Sequence, residues 1–146
     1  MYPVIELAKY IVVKCIKDNH PISNLQLQKI LFYIQREFLQ NSNKVAFPED
    51  IEAWPFGSVV PAVYYYFCGA GAMPITLCDE PENEAVNSFS AEELGMINNI
   101  IEEKRILDPW DMVYETHKHG GAWDNVYKDG KGNRKVIPAK MIKALG

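Results

Sequence analysis

The sequence predicts a mainly α fold, a single compact helical domain of about five or six helices with short extended or β pieces. Apolar residues recur at helical spacing in several segments, and turn-forming residues separate these segments. Several segments begin with residues that cap a helix, whereas only one short stretch alternates as a strand does. The chain has 146 residues, near the commonest size for one domain, so we expect residues 1–146 to form a single domain.

The charge balance argues against some classes of function. The net charge is −4 and the pI is about 5.4, whereas general nucleic-acid binders carry an excess of lysine and arginine. The N-terminal stretch MYPVIELAKYIVVKC lacks the apolar run of a secretory signal, and no apolar run reaches the length of a membrane span. The cysteines are odd in number and widely spaced, which disfavours a disulfide framework. We therefore expect a cytoplasmic protein without membrane contact.

The first two predicted helices are amphipathic. Apolar residues repeat at helical spacing from residue 3 to about residue 18, and Pro3 suits a first-turn position. The second helix is predicted to begin at Ser23, which forms a capping box with Gln26, and to run to about residue 39. The side opposite its apolar face shows a row of polar residues: Gln28, Lys29, Gln35 and Arg36.

The stretch EAWPFGSVVPAVYYYF, residues 52–67, combines a turn with an unusual number of aromatic residues. Its start is predicted as a short strand, and Gly57 as the turn. Ser58 is predicted to cap a helix that has Pro61 in its first turn and runs to about residue 68. A further short strand is predicted at residues 75–77.

The C-terminal half is predicted to hold three more helices. Ser90 and Glu93 form a capping box for a helix that ends near residue 107. Asp108 then begins a helix that ends at the glycines of positions 120 and 121. Residues 122–138 are predicted as a small hairpin or extended loop around Asp129, and Pro138 as the start of a last short helix.

Residues that could carry catalysis or bind a metal are few. His117 and His119 lie two apart, so on a helix they point away from each other, and no cysteine lies at a zinc-site spacing from them. Cys68 has no electropositive neighbours in sequence that would activate it as a nucleophile. The GAGAM stretch at residues 69–73 lacks the strand and helix that flank a phosphate loop. We expect no metal, no cofactor and no enzymatic activity.

Two other classes of function remain open at this point. A small hydrolase could use His117 or the pair Asp108 and Asp111, although helix capping already accounts for both aspartates. A nucleic-acid-binding regulator could use the positive charges around Asp129. These charges are Lys128, Lys131, Arg134 and Lys135. The acidic total favours a simpler interpretation, in which they are solvated charges on a turn.

The aromatic residues of the stretch 52–67 exceed what a core of this size needs. Consecutive helix residues are about 100° apart, so Tyr64, Tyr65 and Tyr66 fan over much of the helix surface. Burying every ring is hard in so short a chain. Tyrosine and tryptophan also dominate the binding energy of protein interfaces. We therefore predict that part of this aromatic set forms a contact surface.

Two stretches of the chain resemble a known family. ISNLQLQKILFYIQREFL (residues 22–39) and FPEDIEAWPFGSVVPAVYYYF (residues 47–67) are similar to the SocA-like antitoxin family, or Panacea domain, and to its GepA-type phage-associated members. The matching residues are Leu27, Gln28, Lys29, Ile30, Leu31 and Tyr33 in the helix, Glu52, Ala53, Trp54, Gly57, Val59, Val60, Pro61, Val63 and Tyr64 around the turn, and Thr116, His117 and Trp123 downstream. Ser58 departs from the pattern, because it stands where the family usually has proline.

The resemblance implies an antitoxin-type role, in which the chain binds a protein toxin encoded nearby and neutralises it by direct masking. An adaptor that delivers the toxin to a protease is an alternative that the family also implies, and a homodimer is a further assembly to consider. The predicted partner-binding set combines aromatic anchors with polar side chains on the facing helix. Its members are Gln28, Lys29, Tyr33, Arg36, Trp54, Phe56, Tyr64 and Tyr65.

Overall fold

The computed structural model describes residues 3–146 and confirms the mainly α prediction. This part of the chain holds eight α-helices and one two-stranded sheet, so the helices are more numerous than predicted. The elements are α1 (Val4–Lys17), α2 (Asn24–Ser42), β1 (Glu52–Trp54), β2 (Gly57–Val59), α3 (Pro61–Tyr66), α4 (Asn83–Asn87), α5 (Ala91–Lys104), α6 (Pro109–Thr116), α7 (Ala122–Tyr127) and α8 (Ala139–Leu145). Short 3-10 turns follow α3 at Cys68–Ala70 and α7 at Lys128–Gly130.

Three helix starts, those of α2, α5 and α6, are the ones that the capping residues predict. Ser23 and Ser90 each accept a hydrogen bond from the third residue of their helix, and Gln26 and Glu93 complete the two capping boxes. Asp108 caps α6 by accepting from the Trp110 backbone N–H at 2.9 Å. These contacts satisfy backbone donors that a helix start leaves unpaired, which is why the local sequence alone locates them.

Two predictions in the middle of the chain are wrong. Ser58 does not cap a helix: it lies buried in β2, and α3 begins after Val60, with Pro61 in its first turn. Residues 75–77 do not form a strand. The Ile75 N–H instead donates to the Ile22 carbonyl oxygen at 2.8 Å, and the Ile75 side chain is buried in the core.

The predicted hairpin at residues 122–138 is a helix followed by a compact turn. Residues Ala122 and Trp123 are buried, and their burial favours a helical turn, α7, over a solvated hairpin. The chain then runs extended along β1. There the Ala53 N–H donates to the Lys135 carbonyl oxygen at 2.9 Å, and the Ile137 N–H donates to the Ile51 carbonyl oxygen at 2.8 Å.

Helix α2 lies at the centre of the described fold. It contacts α1, α3, α5, α6, α8 and β2. Its apolar residues, among them Leu31 and Phe38, belong to one core cluster together with residues from other helices, such as Ile11, Ile97 and Met112. The two strands pair antiparallel with Glu52 opposite Val59 and Trp54 opposite Gly57, so a tight turn of Pro55 and Phe56 joins them. The sheet is thereby placed against the N-terminal half of α2.

Candidate partner-binding surface

Three buried polar side chains of α2 hold the segment that runs from β2 into α3. We call them the α2 clamp, and each one contacts a backbone group. The contacts are Lys29 Nζ to Ser58 O (2.9 Å), Val60 N to Gln28 Oε1 (2.8 Å) and Asn24 Nδ2 to Tyr64 O (3.0 Å). Gln28 also donates to Asn24 Oδ1 at 2.9 Å, which joins two members of the clamp. The α2 clamp therefore fixes both the strand pair and α3 relative to α2.

The exposed polar face that the sequence predicts for α2 is wrong at Gln28 and Lys29. Gln28 is 1% exposed and Lys29 is 0% exposed. Burial of these polar groups is tolerated because each finds a backbone partner. Gln35 is buried for the same reason, since it bonds Ala46 N at 2.7 Å and the Phe47 carbonyl oxygen at 3.0 Å. Gln28 and Lys29 are therefore not exposed on the surface, and instead hold the backbone that runs from β2 into α3.

Lys29 and Gly57 approach each other closely. Burial lowers the pKa of Lys29 to about 7, and no carboxylate of residues 3–146 forms an ion pair with it. Gly57 has φ of +111°, and a Cβ there would lie 2.5 Å from Lys29 Nζ and 3.2 Å from His117 Nε2. Glycine is therefore required at the turn end of the strand pair, both by the backbone conformation and by lack of space.

His117 and Trp123 pack against the strand pair. Their rings stack with centroids 3.6 Å apart and an interplanar angle of 5°, and the Trp123 indole N–H donates to the Trp54 carbonyl oxygen at 2.8 Å. Burial and then the Lys29 charge lower the pKa of His117. His117 and Trp123, two of the downstream residues of the family resemblance, therefore pack against the strand pair. The Asp108 carboxylate is already hydrogen-bonded as the cap of α6.

An exposed aromatic surface lies at the turn between the strands. Phe56 is 57% exposed and Trp110 is 62% exposed, and their rings meet edge to face with centroids 6.0 Å apart. Tyr114 lies one helical turn beyond Trp110 on α6 and is also exposed. We call Phe56, Trp110 and Tyr114 the tip surface. Exposed large rings grouped in this way are typical of protein-binding sites.

A second aromatic group lies beside β1. Trp54 is buried under Tyr64 and Tyr65, with ring centroids 5.1 and 6.1 Å away, and the Arg134 guanidinium covers it at 4.2 Å. Arg134 also donates to the Tyr65 hydroxyl at 3.3 Å, while more than half of the Tyr65 side chain is exposed. The structure thus brings together Trp54, Tyr64 and Tyr65 from the predicted set, with Tyr65 as the accessible member.

Tyr33 and Arg36 line a separate cleft of about 280 Å³. The Tyr33 hydroxyl donates to the Glu115 carboxylate at 2.8 Å, and burial together with this carboxylate raises the pKa of Tyr33. The Arg36 guanidinium and the Lys104 ammonium lie 4.8 and 4.3 Å from the Tyr33 ring. These two predicted residues therefore do not join the tip surface within the chain.

Sequence reasoning missed two accessible members of this region, Trp110 and Tyr114, and it named Arg134 only as one of the positive charges around Asp129. The first two lie four residues apart on one helix, a spacing that was open to inspection. The position of Arg134 could not be inferred, because it depends on a contact with Tyr65, 69 residues away. Within the described residues, no group of three histidine, cysteine or acidic side chains could hold a metal ion. None of the described helices is both long and apolar enough to span a membrane.

The features above define a class: a mainly helical domain that fixes a turn rigidly and presents aromatic rings around it, as protein-binding domains do. The family model "Antitoxin SocA-like, Panacea domain" matches residues 27–124, which is more than half of the chain. The chain therefore belongs to the SocA-like antitoxin, Panacea domain family. The GepA-type assignment within this family stays a prediction.

A curated relative agrees with the family match. Antitoxin SocA of Caulobacter vibrioides (strain NA1000 / CB15N) is 30% identical over 125 residues, which cover 77% of this chain and 63% of that protein. The chain therefore spans less than two thirds of the length of this relative. No solved structure matches the chain. The matched range 27–124 contains most of the α2 clamp, the strand pair, the tip surface and the His117–Trp123 stack.

Proposed function

We propose that this chain is an antitoxin that binds a protein toxin encoded nearby and neutralises it by covering the toxin directly. Membership of the SocA-like family and the name of the Caulobacter relative support the antitoxin role. The proposal of direct binding rests on the exposed pair of Phe56 and Trp110 at the turn between the strands. Burying rings of this size against a partner stabilises the complex, because apolar surface is removed from water.

The tip surface is also suited to binding because it is held in place before a partner arrives. The α2 clamp joins α2 to β2 and to α3, and Trp123 holds Trp54 through its carbonyl oxygen. A rigid surface loses little conformational entropy on association, so more of the contact free energy remains as affinity. We propose that Tyr65, with Trp54 and Tyr64 beneath it, extends this contact area, and that Tyr33 and Arg36 bind a partner through their cleft.

The first experiment is co-expression with the adjacent reading frame, scored by growth and by co-purification. We expect the neighbour alone to stop growth, and this chain to restore growth and elute with the neighbour in stoichiometric amounts. Restored growth with protease-dependent loss of the neighbour would favour the adaptor mechanism. A neighbour that is harmless, or that never associates with this chain, contradicts the proposal.

The contact surface is then tested with Phe56→Ala and Trp110→Ala. Each removes an exposed ring, so we expect toxin binding to weaken by at least about tenfold while the melting temperature stays near that of the wild type. Leu77→Ala is the matched control, because Leu77 is 89% exposed and lies outside the tip surface. Binding that is unchanged in both ring variants would remove the tip surface from the mechanism, whatever the growth assay shows.

A further inference from the structure

The segment after α7 folds into a compact and strained turn. Lys128, Asp129 and Arg134 have φ of 48°, 54° and 67°, in the left-handed region that side chains other than glycine rarely adopt. A Cβ on Gly132 would lie 1.7 Å from the Val126 carbonyl oxygen, so only glycine fits there. We call residues 128–135 the basic knob. Its backbone is fixed by close packing rather than left free as a solvated loop.

The basic knob concentrates positive charge on an acidic protein. Its four cations, all exposed, are Lys128, Lys131, Arg134 and Lys135. Asp129 is the acid within the segment, whereas the whole chain has a net charge of −4. None of the four cations lies within ion-pair distance of a carboxylate in residues 3–146. The chain itself therefore leaves this local charge uncompensated.

Arg134 connects the basic knob to the aromatic surface. Its backbone N–H donates to the Ala53 carbonyl oxygen at 2.7 Å, which fixes its position next to β1. Its guanidinium lies 4.2 Å from the Trp54 ring and donates to the Tyr65 hydroxyl at 3.3 Å. A guanidinium carries five N–H donors, so others remain to take a carboxylate. Arginine and tyrosine are both enriched among the residues that contribute most to binding energy in protein interfaces.

We propose that the basic knob and Tyr65 bind an acidic segment of the partner protein, with a carboxylate on Arg134 and an apolar side chain of the segment against Tyr65. This inference rests on the proposed function and adds the chemistry of the toxin's contact segment. We choose an acidic segment because the exposed positive charges of the basic knob attract carboxylates. A nucleic acid fits less well, because the overall charge of −4 repels an extended phosphate backbone beyond these four cations. The basic knob also lies outside the family match at residues 27–124.

The test uses fluorescence anisotropy with the full chain and labelled probes. One peptide carries glutamates around a central leucine, a second replaces the glutamates with glutamines, and an oligothymidine matches the charge of the first. We expect the acidic peptide to bind more tightly than either other probe, and its dissociation constant to rise as the salt concentration increases from about 20 to about 200 mM. Arg134→Glu and Lys135→Glu should each weaken binding of the acidic peptide by at least about tenfold.

Lys143→Glu is the matched control for the charge reversals. Lys143 donates to the Asn43 side chain at the C-terminal end of α2, about 20 Å along that helix from Lys29. The Lys143→Glu variant should bind the acidic peptide as tightly as the wild type does. Lys135→Glu leaves the stack of Arg134 on Trp54 intact, so a loss in this variant does not depend on the fold around Trp54.

Three outcomes would overturn the inference: no binding of the acidic peptide, equal binding of the glutamine peptide, or tighter binding of the oligothymidine. The probes do not include the toxin, so this experiment and the growth assay can fail separately. Growth rescue without peptide binding removes the inference alone. Peptide binding without growth rescue removes the proposed function and leaves an acidic-segment site.

Discussion

Lys29 makes the stability of the protein depend on pH. An unfolded lysine titrates near 10.5, whereas burial lowers the pKa of Lys29 in the folded chain to about 7. Between these two values the unfolded chain binds more protons than the folded chain. The free energy of unfolding therefore rises with pH across this window, by up to about 1.4 kcal/mol per pH unit. Below pH 7 the burial of the ammonium opposes folding to its full extent.

This pH dependence can be measured by urea unfolding at about pH 7.5 and pH 9. The window avoids His117, whose lowered pKa acts below 6.5, and Tyr33, whose raised pKa acts above 10.0. At about pH 9 the thiols of Cys15 and Cys78, whose pKa is raised from 9.0 by burial, oppose the rise in the wild type and in the variants alike. We expect the increase in unfolding free energy to be lost in Lys29→Met, which has no titrating group, and to persist in Lys143→Met. An equal slope in the wild type and in Lys29→Met would show that Lys29 is not the source.

Gly57 gives a second prediction for a single residue. Gly57→Ala adds a Cβ at a positive φ and within 2.5 Å of Lys29 Nζ, so we expect the free energy of unfolding to fall by at least about 2 kcal/mol. Gly95→Ala is the control, because Gly95 lies in α5 with no atom within 4 Å of its Cβ position. There the change should be neutral or stabilising by about 0.5–1 kcal/mol. Chemical denaturation of both variants measures the difference.

The residues that sequence reasoning misplaced are those whose partners are distant in the chain. Lys29 is predicted to be accessible on the polar side of α2, because helical spacing describes only neighbours on the same helix. Its acceptor, the Ser58 carbonyl oxygen, is 29 residues away. Phe56 and Tyr65 were predicted as candidate contacts from the surplus of rings, and both are exposed. Their role in binding stays a prediction.

At the scale of elements, the sequence predicts those that depend on neighbouring residues and misses those that depend on distant contacts. The starts of α2 and α5 were predictable because Ser23 and Ser90 bond within three residues of themselves. Helix α7 was not, because its Trp123 is placed by a hydrogen bond to Trp54, 69 residues away. The aspartate and glycine at 129 and 130 favour a hairpin turn, and the burial of Trp123 outweighs that preference.

The α2 clamp predicts local changes in hydrogen exchange. Gln28→Ala removes the acceptor of the Val60 N–H, so we expect the Val60 amide to exchange at least about tenfold faster, with little change at Ala46. Gln35→Ala should give the reverse pattern, because Gln35 accepts from the Ala46 N–H. Amide exchange followed by NMR measures both. Equal acceleration at both amides in either variant would indicate global destabilisation in place of a local role for the α2 clamp.

At the scale of the whole molecule, buried contacts hold the turn in place and accessible groups surround it. The family match covers most of the α2 clamp and the strand pair, which hold the turn, and it also covers the accessible tip surface. The basic knob lies beyond the matched residues and attaches to this scaffold through Arg134. The buried supports of the turn and the accessible groups around it are therefore separate sets of side chains.

Tryptophan fluorescence tests the surface in the intact protein. Trp110 is 62% exposed, whereas Trp54 and Trp123 are buried, so acrylamide should quench Trp110 preferentially in the free chain. Trp110→Phe should lose this quenchable component. If the toxin covers the tip surface, the difference in quenching between the wild type and Trp110→Phe should disappear in the complex, and comparing the two variants removes the contribution of the toxin's own tryptophans. A difference that persists in a stable complex would place the toxin on another face of the molecule.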